Sequence, residues 1–121
     1  MKIKDYRSAL SYLLNLTKLG IQPGLERIER AFELLNHPEA RFPSVVVGGT
    51  NGKGSVSTIV ARTVTKAGYK TGLFTSPHLH RLTERIRIDG REVGKRQLVS
   101  AVQHVESVTG APDAPKLTFF E

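Results

Sequence analysis

The sequence contains no cysteine. A disulfide framework and a thiolate metal site are therefore excluded. It also has no tryptophan, and only five phenylalanines and three tyrosines. Those few rings, with no arginine–glycine tract beside them, do not make the stacking surface that single-stranded RNA binding uses. No apolar run approaches the roughly 20 residues of a membrane-spanning helix. No N-terminal stretch has the pattern of a secretory signal. The expectation is a cytoplasmic protein with no membrane partner. Acidic residues are scarce too: 11 against 18 basic ones, a net charge of +7. Such a balance suits polyanions, either nucleotide phosphates or nucleic acid. With 121 residues, 39% of them hydrophobic, the chain can build one modest core and one domain. No internal repeat or low-complexity segment is present.

What is there is organised around residues 45 to 55. Val45-Val46-Val47 is a short β-branched run. Gly48-Gly49-Thr50-Asn51-Gly52 follows, then Lys53, Gly54 and Ser55, then an amphipathic run from Val56 to Ala67. The pattern predicts strand, loop and helix. Such a loop turns backbone N–H groups inward, and the helix aims its positive end at the same spot. Phosphate is the ligand that fits. Lys53 can bridge outer phosphate oxygens, and Thr50 or Ser55 can bond phosphate or Mg²⁺. The pattern departs from the strict P-loop in two places. Val47 stands where its first glycine belongs, and Gly54 where its hydroxyl belongs. The match is to a shortened variant.

The rest of the chain reads as helices and short strands. Tyr6, Leu10, Leu13 and Leu14 predict a helix over 4–16, and Leu25, Ile28, Phe32 and Leu35 a second one. Gly20 to Gly24 breaks them apart. Val56, Ile59, Val60, Val64 and Ala67 give the third helix one stripe for burial, with Gly68 as its C-cap. Tyr69 to Phe74 reads as the next strand, and a βαβ unit of this length implies parallel strands with a right-handed crossover. Ligands then sit at the carboxyl ends of the strands, which both Lys53 and Ser76 follow. Glu84 to Val93 alternates, with Ile86, Ile88 and Val93 on one side and Arg85, Arg87 and Arg91 on the other. Asp89-Gly90 between them is a hairpin turn. Leu98, Val102, Val105 and Val108 predict a fourth helix, closed by Gly110 and opened poorly by the basic Lys95-Arg96.

Three phrases in fixed order narrow the reading. Gly-Thr-Asn-Gly-Lys-Gly-Ser at 49–55 is followed by Gly72-Leu73-Phe74-Thr75-Ser76-Pro77-His78-Leu79 and then Glu84-Arg85-Ile86-Arg87-Ile88. Together they resemble the folylpolyglutamate synthase and dihydrofolate synthase family, which is similar to the Mur ligases. The resemblance runs from about Leu13 to Glu121. It implies a P-loop NTPase-like α/β fold, three layers with parallel strands, incomplete, plus a β-hairpin. Residues 1–121 would form the N-terminal part of the ATP-binding, Mur ligase central-type domain, without the C-terminal domain.

The resemblance also implies a reaction. L-Glutamate is joined to dihydropteroate, or to the terminal glutamate of a folate, through an acyl phosphate made from ATP with Mg²⁺. Nucleotide binding maps onto Gly49, Thr50, Asn51, Gly52, Lys53, Gly54 and Ser55, with Lys53 also catalytic. A magnesium ligand maps onto Ser76. Pterin or folate contacts map onto Ile21, Gln22, Pro23, Gly24, His78, Arg85, Thr118, Phe119, Phe120 and Glu121. The family is about three times longer, so a lone chain of this length is expected to bind ATP weakly and to be inactive by itself. The full-length form is expected to be monomeric, with no nucleic-acid partner. A Mur-type ligase of another substrate is one alternative, and a non-catalytic nucleotide or nucleic-acid binding module is the other. Steeply salt-dependent DNA or RNA binding would favour that module.

Overall fold

The computed structural model describes residues 2–121. In chain order its elements are α1 (Tyr6–Leu16), α2 (Glu26–Leu34), α3 (Lys53–Lys66), β1 (Gly72–Phe74), β2 (Ile86–Ile88), β3 (Arg91–Glu92) and α4 (Lys95–Thr109). Three 3-10 turns occur at Thr17–Leu19, Pro38–Arg41 and Leu82–Arg85. The chain divides into two compact units. One comprises the residues up to Pro43 with Arg96–Glu121, and the other Ser44–Lys95.

The first unit is helical. Asp5 caps α1 reciprocally with Ser8: its carboxylate accepts the Ser8 N–H at 2.8 Å, and the Ser8 hydroxyl accepts the Asp5 N–H at 3.0 Å. Gly20, at φ +67°, ends the 3-10 turn that follows α1, in a conformation open to glycine. The core is small. Ala9 of α1, Ala31 of α2 and Leu98 and Val102 of α4 are buried, with Ile3 and Leu117 from the flanking segments. Gln103 adds a tie from α4, donating its side-chain N–H to the Ile3 carbonyl at 2.8 Å. All three helices lie where the apolar spacing predicts them. α4 begins at Lys95, inside the basic stretch expected to open it poorly.

The second unit packs α3 against a three-stranded sheet of order β1-β2-β3. Asp89 and Gly90 close the β2–β3 hairpin at φ +50° and +77°, the left-handed pair that a two-residue turn needs. Mixed helix and strand is what the sequence predicts. The β2–β3 hairpin is antiparallel, as the Asp89-Gly90 turn predicts, but β1, expected in a parallel pair, also pairs antiparallel, with β2. Val45–Val47 also forms no strand, and Val45 and Val46 are 76% and 93% exposed. A strand exists by its ladder of hydrogen bonds, and no described residue supplies one to this run. Without it the parallel βαβ crossover does not form.

Two further corrections concern α3 and the hairpin. The stripe expected to be buried on α3 is open, with Val56 48% and Ile59 65% exposed. A three-residue strand offers it too little surface. Arg91 lies on the Ile88 side, not the Arg87 side. The two-residue turn pairs Ile88 with Arg91 and Arg87 with Glu92, and cross-strand partners share a face.

Candidate functional site

The glycine-rich loop lies in the second unit. Residues 48–52 are irregular, and α3 starts at Lys53 behind Gly52, which sits at φ +76° with no side-chain cap on the helix. The first turn closes with the Val56 N–H on the Gly52 carbonyl at 2.9 Å. The N–H groups of Lys53, Gly54 and Ser55 have no acceptor among the described residues. A helix of 14 residues therefore presents three unsatisfied donors and the positive end of its dipole together.

Hydroxyl groups near the loop fall into two classes. Ser57, Thr58, Thr63 and Thr65 each donate to the carbonyl four residues back along α3, at 2.7 to 2.9 Å. Thr50 and Ser55, the two assigned to ligand, make no side-chain hydrogen bond among the described residues. Lys53 is folded onto its own loop, with Nζ donating to the Gly49 carbonyl at 2.6 Å and to that of Thr50 at 3.4 Å. An anion at the helix end would give that ammonium a stronger acceptor than a neutral carbonyl.

Gly54 has helical geometry and nothing within 4 Å of where a Cβ would stand. Gly54→Ala should therefore raise the stability of the free chain by about 0.5–1 kcal/mol, the usual gain of alanine over glycine in a helix. If an anion binds at the start of α3, as the sequence leads one to expect, the same methyl group would crowd it. The variant should unfold at higher denaturant concentration and bind nucleotide more weakly. An unchanged nucleotide affinity would place the anion elsewhere.

Ser76 follows β1, is exposed, and its hydroxyl has no hydrogen-bond partner among the described residues. No group of three His, Cys, Asp or Glu side chains among those residues could hold a metal ion. One free hydroxyl fits Mg²⁺, which keeps several waters and takes most other oxygens from phosphates. Two residues on, His78 Nδ1 accepts the Arg85 Nε–H at 2.8 Å. These two predicted substrate residues are thus brought into contact.

The other predicted substrate residues lie in the first unit. Ile21 is 86% exposed, in the irregular segment before α2. Thr118 is buried, while Phe120 is 76% exposed and meets Phe119 edge to face at 5.6 Å. The two segments are joined by Arg27, a residue to which the sequence assigns no role. Its guanidinium donates to the Gln22 carbonyl at 2.6 Å and pairs with the Glu121 carboxylate at 3.0 Å. Glu121 also accepts the Thr118 N–H at 2.8 Å. Burial raises the Glu121 pKa, but the Thr118 N–H and the Arg27 guanidinium outweigh it and hold the carboxyl below its ordinary value. The available signal was the Gly24-Leu25-Glu26-Arg27 phrase; its partner lies 94 residues away.

No family model matches the chain. Over 119 residues it is 37% identical to the probable bifunctional folylpolyglutamate synthase/dihydropteroate synthase of Haloferax volcanii, covering 97% of this chain and 14% of the relative. Over 107 residues it is 35% identical to the dihydrofolate synthase/folylpolyglutamate synthase of Bacillus subtilis, covering 85% of this chain and 25% of the relative. Among solved structures, that of Escherichia coli FolC in complex with DHPP and ADP superposes with a TM-score of 0.80 at 37% identity, over 97% of this chain and 28% of that one. The chain spans a quarter or less of the length of these two curated relatives.

Proposed function

The chain belongs to the dihydrofolate synthase/folylpolyglutamate synthase family, and from that premise we propose that it is the nucleotide-binding segment of an ATP-dependent ligase. Its substrates are L-glutamate and either dihydropteroate or a folate. One observation carries the reading: the uncapped start of α3, with three free N–H groups, two free hydroxyls and Lys53 beside them. The ADP in the E. coli relative's complex supports the same ligand class.

In this reading the substrate carboxylate takes the γ-phosphoryl group of ATP, forming an acyl phosphate and ADP. The amino group of glutamate then attacks the acyl carbon; phosphate leaves, and an amide remains. Phosphoryl transfer asks the protein mainly for positioning and charge neutralisation. The N–H groups of Lys53, Gly54 and Ser55 hold the phosphate chain. Lys53 leaves the Gly49 and Thr50 carbonyls for the outer phosphate oxygens. Thr50 and Ser55 supply hydroxyl donors, and Asn51 and the glycines let the chain wrap closely. Ser76 would hold Mg²⁺, which when bound offsets the negative charge on the phosphates. The short connection from α3 to β1 turns the chain back along the helix. That supports placing the turn after β1 near the loop before α3.

Pterin or folate contacts are assigned, within the first unit, to Ile21, Gln22, Pro23, Gly24, Thr118, Phe119, Phe120 and Glu121; His78 and Arg85, in the second unit, are assigned separately as substrate contacts. His78 uses Nδ1 to accept from Arg85, which leaves Nε2 as the donor. A monomeric, cytoplasmic enzyme is the accompanying proposal. No described helix is long and apolar enough to cross a membrane.

The test is binding of Mg·ATP to the 121-residue chain, followed by NMR titration. Weak but saturable binding that perturbs residues 49–55 is expected. Addition of glutamate and dihydropteroate should release no phosphate, because the chain spans so small a share of its relatives. Titration shifts that bypass residues 49–55 would refute the nucleotide assignment, and glutamate-dependent phosphate release would refute the dependence on further chain.

A further inference from the structure

The turn that carries Ser76 and His78 is built around a carboxylate to which the reading above gives no role. Glu84 lies in the 3-10 turn Leu82–Arg85 and folds back over the segment before it. One oxygen accepts the Leu79 N–H at 2.9 Å; the other accepts the His80 N–H at 3.2 Å and the Arg81 N–H at 2.9 Å. Three consecutive backbone donors converge on one side chain, which is 17% exposed. A capping box accounts for the Arg81 contact alone. The Leu79 and His80 donors lie outside any cap, so the carboxylate reaches further than ending a 3-10 turn requires.

Its neighbours complete a clamp. Arg85 donates to His78 through its side chain, and its carbonyl accepts the Thr75 N–H at 2.9 Å. Arg81 lays two guanidinium N–H groups on the Glu92 carboxylate of β3, at 3.3 and 3.1 Å, and the Thr83 hydroxyl donates to the same carboxylate. Segment 75–81 is thereby tied to the 3-10 turn, and that turn is tied to the hairpin. Leu79, at the middle of this segment, is 86% exposed, so apolar packing does not hold it.

We propose that Glu84 is a positioning residue: by gathering the N–H groups of residues 79–81, it fixes the Ser76–Pro77–His78 turn so that the Ser76 hydroxyl meets the magnesium-bearing phosphates. Glu84 itself touches neither nucleotide nor metal. The inference rests on the nucleotide reading above. It adds that the magnesium-dependent part of nucleotide affinity is set from eight residues away along the chain.

The experiment measures ATP affinity of the chain by NMR titration, with Mg²⁺ and with EDTA, for wild type, Glu84→Ala and Glu84→Gln. Amide hydrogen exchange at Leu79, His80 and Arg81 is followed in the same samples, and thermal midpoints are recorded. In Glu84→Ala, exchange at all three amides should quicken. The gain in affinity that Mg²⁺ confers should fall about 10-fold, the common effect of losing a group that orients a metal ligand. Affinity in EDTA should stay within about two-fold of wild type, because the loop N–H groups are untouched. Glu84→Gln keeps one carbonyl oxygen but sets an NH₂ donor against a backbone N–H, so it should fall between. A magnesium-dependent gain equal to wild type in Glu84→Ala would overturn this inference alone. Equal losses with Mg²⁺ and EDTA would also overturn it, by making Glu84 a general stability residue. Absence of ATP binding by the wild-type chain would instead overturn the nucleotide reading, and this inference with it.

Discussion

Lys53→Ala lowers the turnover of an enzyme that carries this segment by about 100- to 1000-fold, the usual cost of deleting one preorganised electrostatic contact to a charge-bearing transition state. The three N–H groups at the start of α3 remain, so phosphate still has a seat. What disappears is the Lys53 ammonium beside them. In the free chain that ammonium rests on the Gly49 and Thr50 carbonyls, at 2.6 and 3.4 Å. It therefore gives up neutral acceptors, and gains charged ones, when nucleotide arrives. Lys53→Arg is a poor substitute, because a planar fork does not reproduce a point charge on a flexible stem. Steady-state kinetics of both variants check this. Turnover at the wild-type level in Lys53→Ala would remove the lysine from the chemistry.

The second large effect is on stability. Arg27→Ala strips the Glu121 carboxylate of its cation and the Gln22 carbonyl of its donor. The side chains of the pair are 23% and 14% exposed, so water replaces the lost contacts only in part. A loss of about 1–3 kcal/mol is expected at neutral pH, the range for leaving a buried polar group unsatisfied, and below the cost for a fully buried ion pair. The loss depends on pH with a definite sign. The carboxyl of Glu121 is held below its ordinary value of 4.5 in the folded chain. Its contribution is complete above that value and fades as pH falls through the lowered folded pKa. The gap between wild type and variant should therefore narrow in acid, leaving the share that the Arg27–Gln22 bond contributes at every pH. Urea denaturation of both proteins at neutral pH and in acid measures it. A gap that persisted unchanged in acid would assign the effect to lost packing of the arginine stem.

Much of this was legible in the sequence, and the reason is locality. The glycine-rich loop, the helix behind it and the Asp89-Gly90 turn are each specified by residues within a few positions of one another. The left-handed angles at Gly52, Asp89 and Gly90 are where residue type alone limits the backbone. Helices α1, α2 and α4 follow the spacing of their apolar residues, since the period of a helix is written in its own segment. The His78–Arg85 contact also joins two residues that the resemblance had already assigned to the substrate.

Other features depended on surfaces the sequence does not print. Val45–Val47 has the composition of a strand and no ladder, and the α3 stripe has the period of a buried face and little to cover it. Arg91 changed sides because the hairpin register, not the alternation of the run, decides which residues are neighbours. Arg27 and Glu84 were missed for a related reason. Charged residues in amphipathic runs read as solvated, and only the fold reveals that Arg27 reaches Glu121 and Glu84 gathers three amides.

By itself, then, the sequence determined the family and the local geometry of the glycine-rich loop, because backbone angles answer to nearby residues. Tertiary structure alone decided the antiparallel pairing of β1 with β2 and the bridge from Arg27 to Glu121. Those depend on which groups, distant along the chain, desolvate one another, and periodicity names a face without naming what it meets.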